Sequence, residues 1–280
     1  MGISARKTNG GFIGVDTRPN VTGSVGVISQ RKHRLSRFDG KLVPDIPTAV
    51  IFEDDFSTGN FTGATGGTWV VLNENNTDKQ WIVGQDTDNS SGVSQTIPSG
   101  SSFAAYVSDN GTINDYRTNT DVYIYFDFKI PAGTTALTLT FDWMCQGENS
   151  SGNDRYDYGY ILFCDTEFTP TAGDKITGLS GEGEEGGVYE RITGTNISFF
   201  NSNVGKFNSE DSNSRSPTNV TPNAKTQFVS DNITLDSSEI TTSGLWNPGS
   251  ERRLIFAWTS DGSIQNQPSW TVANIKLVEA

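Results

Sequence analysis

Leu137-Thr-Leu-Thr-Phe-Asp-Trp-Met-Cys145 decides how this chain reads. Its apolar side chains fall at every second position, the period of a strand with one face in a core, and no helical spacing fits it. Longer apolar runs recur at Asp121-Val-Tyr-Ile-Tyr-Phe-Asp-Phe-Lys-Ile130, Arg252-Arg-Leu-Ile-Phe-Ala-Trp-Thr259 and Trp270-Thr-Val-Ala-Asn-Ile-Lys-Leu-Val278. Shorter strand signals lie at 48–53, 68–72, 80–84, 102–108 and 156–164, with weaker ones at 188–192 and 197–200. Gly66-Gly67, the polar stretch from Asn73 to Asp78, and Pro131-Ala-Gly133 punctuate them. The Tyr156–Cys164 segment follows Leu137–Cys145 across a polar turn, so the two are expected to pair as a hairpin. Residues 165–223, mostly Gly, Ser, Asn, Thr and acids, read as a long loop-rich excursion. Aromatic and β-branched residues carry the apolar content, and periodic helix formers are missing. The expected fold is an all-β, antiparallel β-sandwich over residues 49–280.

The charge is divided along the chain. Residues 1–45 hold eight Lys/Arg against three Asp, a net +5, while the remainder holds 12 basic against 30 acidic residues, a net −18. Residues 1–48 therefore read as an extended basic arm on an acidic body, with Pro44 and Pro47 at the junction. Such an arm buries little surface alone, so it either lacks fixed structure or takes one from a partner. Its expected partner-binding residues are Phe12, Ile13, Arg18, Arg31, Lys32, Arg34 and Arg37. An acidic body repels phosphate, which argues against nucleic acid as its ligand.

Chemistry on the body is sparsely equipped. The single histidine, His33, lies in the arm, which removes His-dependent triads and multi-His zinc sites from the body. A carboxylate pair for glycoside hydrolysis is conceivable, but among 33 acids two neighbours can meet by chance. No catalytic set is assigned, and the expectation is that the protein is not an enzyme. Cys145 and Cys164 are too few for a disulfide framework. They fit either one bridge or two buried thiols, the second being the better fit. Most tryptophans sit in strand patterns, whereas Tyr116, Tyr189, Trp246 and Trp270 lie nearer turns and are the expected candidates for stacking on a glycan. No stretch approaches the roughly 20 apolar residues of a membrane helix. The first residues, Met1-Gly-Ile-Ser-Ala-Arg-Lys, carry no apolar signal core, so export by the ordinary secretory route is not expected.

The ordered segments Phe52-Glu-Asp-Asp-Phe56, Gly67-Thr-Trp69, Trp81, Phe128-Lys-Ile-Pro-Ala-Gly133, Leu137-Thr-Leu-Thr-Phe-Asp-Trp143, Tyr156-Asp-Tyr158, Arg253-Leu-Ile-Phe-Ala-Trp258 and Val272-Ala-Asn-Ile-Lys-Leu277 resemble the bacterial cleaved-adhesin and choice-of-anchor J group, relatives of the MAM-type jelly rolls. The resemblance implies a jelly roll that binds carbohydrate or protein. It also implies a structural calcium ion in the opening acidic turn, held by Glu53, Asp54 and Asp55, with no other cofactor. The group's further calcium ligand is an aspartate in the last strand, where this chain has Ala273. The opening Gly10-Gly-Phe-Ile-Gly14 resembles the glycine-rich starts of marine bacteriophage virion proteins, where a short arm docks an appendage onto a capsid or tail. Together these point to a phage virion structural protein (capsid decoration, head fibre or tail appendage), assembled in the host cytoplasm and exposed on the particle. Its expected partners are other virion proteins through the arm and host surface glycans through the jelly roll, and a homo-oligomer stays open. The alternative is an adhesive or carbohydrate-binding module of a bacterial surface protein.

Overall fold

A computed structural model describes residues 49–75, 77–85, 97, 101–117, 119–145, 156–176, 178–182, 187–193, 207, 228–263 and 268–280. The basic arm and the strand signal at 197–200 lie outside the described residues. Those described form no helix and twelve strands, arranged as two antiparallel sheets of a jelly-roll sandwich. The first sheet runs β3 (Gln80–Gln85), β4 (Phe103–Ser108), β12 (Thr271–Glu279), β6 (Ala136–Met144), β10 (Val229–Asp236), with β1 (Val50–Asp54) alongside the later half of β12. The second runs β2 (Val70–Leu72), β5 (Asp121–Lys129), β11 (Glu251–Thr259), β7 (Tyr158–Cys164), β9 (Val188–Arg191), β8 (Ser180–Glu182).

The alternation at 137–145 works as expected: Leu137, Leu139, Phe141, Trp143 and Cys145 enter the core between the sheets. They meet Phe126 and Phe128 of β5, Leu254, Phe256 and Trp258 of β11, and Ile161 and Phe163 of β7. Gly159 stands between Tyr158 and Tyr160 because the inner face there has no room for a side chain. A Cβ would lie 2.0 Å from Trp270 Cδ2. Trp270 in turn stacks on Phe207 (4.9 Å) and Phe256 (5.7 Å).

A bulge between Ala273 and Lys276, with Asn274 in the left-handed region (φ 50°), lets β12 change neighbours. Before it, Val272 pairs with Ala105 of β4; after it, Ile275 to Val278 pair with β1. Such bulges bend a strand and re-aim its side chains. Here the Asn274 amide donates to Asp142 Oδ2 at 2.6 Å.

Two sequence expectations are corrected. β6 and β7 do not form a hairpin: β6 pairs with β10 and β12, and β7 with β11 and β9. Strand alternation fixes which face is buried, not which strand lies alongside. Within the 165–223 excursion the weak signal at 188–192 is β9, and β8 joins it to extend the second sheet. Finally, Tyr116 and Trp270 have no exposed surface, and Tyr189 is 9% exposed. A turn-proximal aromatic is drawn inward when both layers close over it, as Trp258 does over Tyr116 at 4.8 Å. Both cysteines are buried thiols outside any disulfide, Cys145 in the inter-sheet core and Cys164 on the opposite face of the second sheet.

Candidate ligand-binding face

The opening acidic turn is a structural staple. Asp54 is buried; its Oδ1 accepts the Phe56 N–H at 2.7 Å and its Oδ2 accepts the Trp69 indole N–H at 2.8 Å. Phe56 is fully buried with φ 56°, a conformation rare for a bulky residue. The Asp54 bond holds it there. Burial pushes the Asp54 carboxyl above its ordinary value, against the pull of those two donors. Asp55 Oδ1 accepts the Ser57 N–H at 2.9 Å, and the bonds from Ser57 hold its carboxyl below the usual range. Glu53 pairs with Lys276 at 3.0 Å. The three acids therefore have three separate jobs. Ala273, at the position where the resemblance implies a further ligand, is buried in an apolar cluster with Ala104, Met144 and Phe228. Among the described residues no three acidic, histidine or cysteine side chains are gathered to hold a metal, so this turn does not fit a calcium ion.

Of the four aromatics expected to meet a glycan, only Trp246 keeps partial exposure, and it packs on the core 6.2 Å from Phe163. The other three offer no free ring face.

The outer face of the second sheet carries a different constellation. Alternate residues of β5, β11, β7 and β9 place Tyr123, Tyr125, Tyr158, Tyr160 and Tyr189 there with Ile255, Ala257 and Leu162. Cross-strand register sets them in ranks: Tyr125, Ile255, Leu162, Arg191; then Tyr123, Ala257, Tyr160; then Asp121, Thr259, Tyr158. A segment after β7 folds over part of this face. Phe168 packs on Tyr189 (4.8 Å), and the Tyr123 hydroxyl donates to the Asp174 carbonyl.

Two arginines lie under that segment, each stacked on tyrosine. Arg253 sits 3.9 Å from the Tyr125 centroid and grips Asp127 with two nitrogens, at 2.7 and 2.9 Å. Its Nη1 also donates to the Phe168 carbonyl and the Thr169 hydroxyl. Burial opposes its charge, but Asp127 outweighs that and holds its pKa above the ordinary value. Arg191 lies 4.5 Å from the Tyr160 centroid and 5.8 Å from that of Tyr158. Its Nη2 donates to the Ile176 carbonyl at 3.0 Å. Lys175, which is exposed, approaches Tyr158 to 5.4 Å. Burial pushes the Tyr158 hydroxyl up in pKa, with Arg191 pulling against it.

Sequence reading missed this face. Arg191 follows Glu190, and the two look like a local ion pair. On a strand, however, adjacent side chains point to opposite faces. Glu190 instead receives the Thr241 hydroxyl (2.7 Å) and the Thr242 N–H (2.8 Å). The available signal was the Tyr-Gly-Tyr triplet at 158–160, whose glycine marks the inner face and so places both tyrosines outside.

No protein-family model matches the chain, and no curated protein matches it. Several solved structures are similar. A cleaved-adhesin domain of Lys-gingipain from Porphyromonas gingivalis is 8% identical with a TM-score of 0.38, over 80% of this chain and 95% of that one. TmCBM61, solved with β-1,4-galactotriose, is 6% identical with a TM-score of 0.33, over 81% and 94%. The enzymatically active domain of bacteriophage CBA120 tailspike protein 4 is 10% identical with a TM-score of 0.37, over 80% of this chain but only 20% of that one. At these scores the likenesses assign no ligand, reaction or partner.

Proposed function

We propose that the protein is a non-catalytic display module of a phage particle. Residues 1–48 dock it to an acidic virion protein, and the jelly roll faces outward to meet host glycans. The observation that carries the reading is the partition of charge, +5 in residues 1–45 against −18 in the rest. The sandwich supplies its own core and so does not need the arm to fold. The arm, with Phe12 and Ile13 beside Arg18, Arg31, Lys32, Arg34 and Arg37, is composed to pair with something else. Its particle site is that of a capsid decoration, a head fibre or a tail appendage. Among the described residues no helix is long and apolar enough to cross a membrane.

The test is deletion of residues 1–45. Particles assembled with the truncated chain are expected to lack it, while the truncated chain still unfolds cooperatively in solution. Normal incorporation of the truncated chain would end the docking role. Absence of the full-length chain from purified particles would instead favour an adhesive module of a bacterial surface protein.

A further inference from the structure

Four Asn-Xaa-Thr triplets fall among the described strands and turns, starting at Asn60, Asn75, Asn110 and Asn232, and all four asparagines are exposed. The triplet is the acceptor pattern for attaching a sugar to an asparagine amide. The fold gives the four different surroundings. Asn75 Oδ1 receives the Thr77 N–H (3.0 Å), the Thr77 hydroxyl (3.3 Å) and the Asp78 N–H (2.8 Å). Asn110 Oδ1 receives the Thr112 N–H (2.9 Å), the Thr112 hydroxyl (2.8 Å) and the Ile113 N–H (3.0 Å). Among the described residues, neither Nδ2 donates to another group. Asn60 bonds likewise with Thr62, but its Nδ2 is engaged by the Thr58 carbonyl at 3.2 Å. Asn232 lies in β10, paired with Thr140, and there the extended backbone leaves Asn232 and Thr234 unbonded to each other.

These differences bear on reactivity. An amide nitrogen is a poor nucleophile because its lone pair is shared with the carbonyl. Donors gathered on the oxygen stabilise negative charge there and ease the loss of an Nδ2 proton. The strand triplet lacks that help. Turn shape alone does not call for an amide: Asp236 with Ser238, and Asp261 with Ser263, close the same kind of turn through a carboxylate. Asn75 and Asn110 bring a nitrogen that the turn does not use.

The two turns are neighbours. One leads into β3 and the other leaves β4, where Gln80 pairs with Ser108, and Arg117 reaches both Asp78 (3.8 Å) and Asp109 (3.6 Å). Both lie where β12 begins, since Asn114 Oδ1 accepts the Ser269 N–H. Ala49 lies against Glu279, at the other end of β12.

We infer that Asn75 and Asn110 are acceptors of N-linked sugar, delivered from a glycosyl diphosphate by a transferase of the host. Nδ2 gives a proton to the transferase's base and bonds to C1 of the sugar. The C1–O bond breaks, and the diphosphate leaves with that electron pair. The inference goes beyond the display reading and does not depend on it, because here the chain carries a sugar and need not bind one.

The experiment weighs the full chain from its native source and maps its peptides by mass. Sugar is expected on Asn75 and Asn110 and not on Asn232. A nucleoside diphosphate donor leaves a single hexose and a lipid-linked donor an oligosaccharide, so the added mass tells the two sources apart. Thr77→Ala and Thr112→Ala, both at exposed positions, should each lose the sugar at their own site, whereas Thr77→Ser and Thr112→Ser should keep it. Circular dichroism of each variant checks that the fold is intact. The unmodified mass at either asparagine overturns its assignment. Sugar on Asn232 as complete as on the turns, or sugar retained in both alanine variants, overturns the role of the turn. Incorporation into particles is read separately, so each idea fails on its own.

Discussion

Replacing Gly159 by alanine adds one methyl group at the most crowded point of the sandwich. The added Cβ would stand 2.0, 2.3 and 2.4 Å from Trp270 Cδ2, Cε3 and Cγ. Ordinary carbon contacts begin near 3.5 Å, so the indole must retreat by about 1.5 Å. It has nowhere to go: Trp270 is fully buried, with Phe207, Phe256, Trp81 and Phe141 around it at 4.9 to 6.4 Å between ring centres. The glycine has no positive φ, so backbone preference does not enter. Overpacking usually costs about 1–3 kcal/mol. A clash this short, against backbone held by the Gly159–Phe207 bridge, belongs at about 3 kcal/mol. For a domain of this size that lowers the melting temperature by about 6–12 °C. Near-ultraviolet circular dichroism follows the aromatic packing directly. Trp270→Leu should absorb most of the cost of the added methyl group, giving strong non-additivity in a double-mutant cycle. Melting of Gly159→Ala within about 1 °C of the parent, or an undiminished cost in the Trp270→Leu background, would refute the steric account.

Further outcomes are expected. Asp54→Ala leaves the Trp69 indole and the Phe56 N–H without their acceptor and should cost about 3 kcal/mol in urea unfolding, at 1–3 kcal/mol for each buried group left unpaired. Calcium or a chelator should leave the melting temperature unchanged, and stabilisation by calcium would revive the opening turn as its site. The Asp115 carboxyl is pushed up to about 7, first by burial and then by Asp109 beside it, with Arg117 pulling the other way. The folded protein thus keeps a proton that the unfolded chain releases near 3.8. Stability is full below that value, declines as pH rises towards about 7 and levels beyond it. Asp115→Asn should flatten this decline in a series of melts. Burial also raises the Cys164 thiol well above its ordinary pKa, so a thiol reagent should find neither cysteine until the chain unfolds.

The strands that fill both faces with apolar residues or alternate cleanly were legible: β5, β6, β11 and β12 start and end within about two residues of their sequence signals. β10 was not. Val229, Ile233 and Leu235 point inward as alternation requires, but Asp231 interrupts the row and the pattern breaks at its centre. Its carboxyl, pushed up to about 6 by burial, is tolerated beside Trp143. β8, Ser180-Gly-Glu182, carries no strand composition and exists because β9 offers it an edge. The same locality hid the tyrosine and arginine face of the second sheet. Arg191, Lys175 and Tyr158 come from different segments, and only the pairing of β9 with β7 brings them to one surface. The acids of the opening turn were visible, but their partners were not. Asp54 answers to Trp69, fifteen residues away.

The pairing of β1 with β12 has a mechanical consequence. Ala49, where the described body begins, accepts the Glu279 N–H at 3.1 Å, and the next residues run antiparallel along β12. β12 is not a rim strand; β6 flanks it on the other side for most of its length. Tension entering through residue 49 therefore passes at once to the middle of a sheet. Drawn along β1, it stretches the whole ladder together and does not peel it bond by bond. For a body hung from one end and pulled by whatever its far side has caught, that is where resistance to tearing would reside.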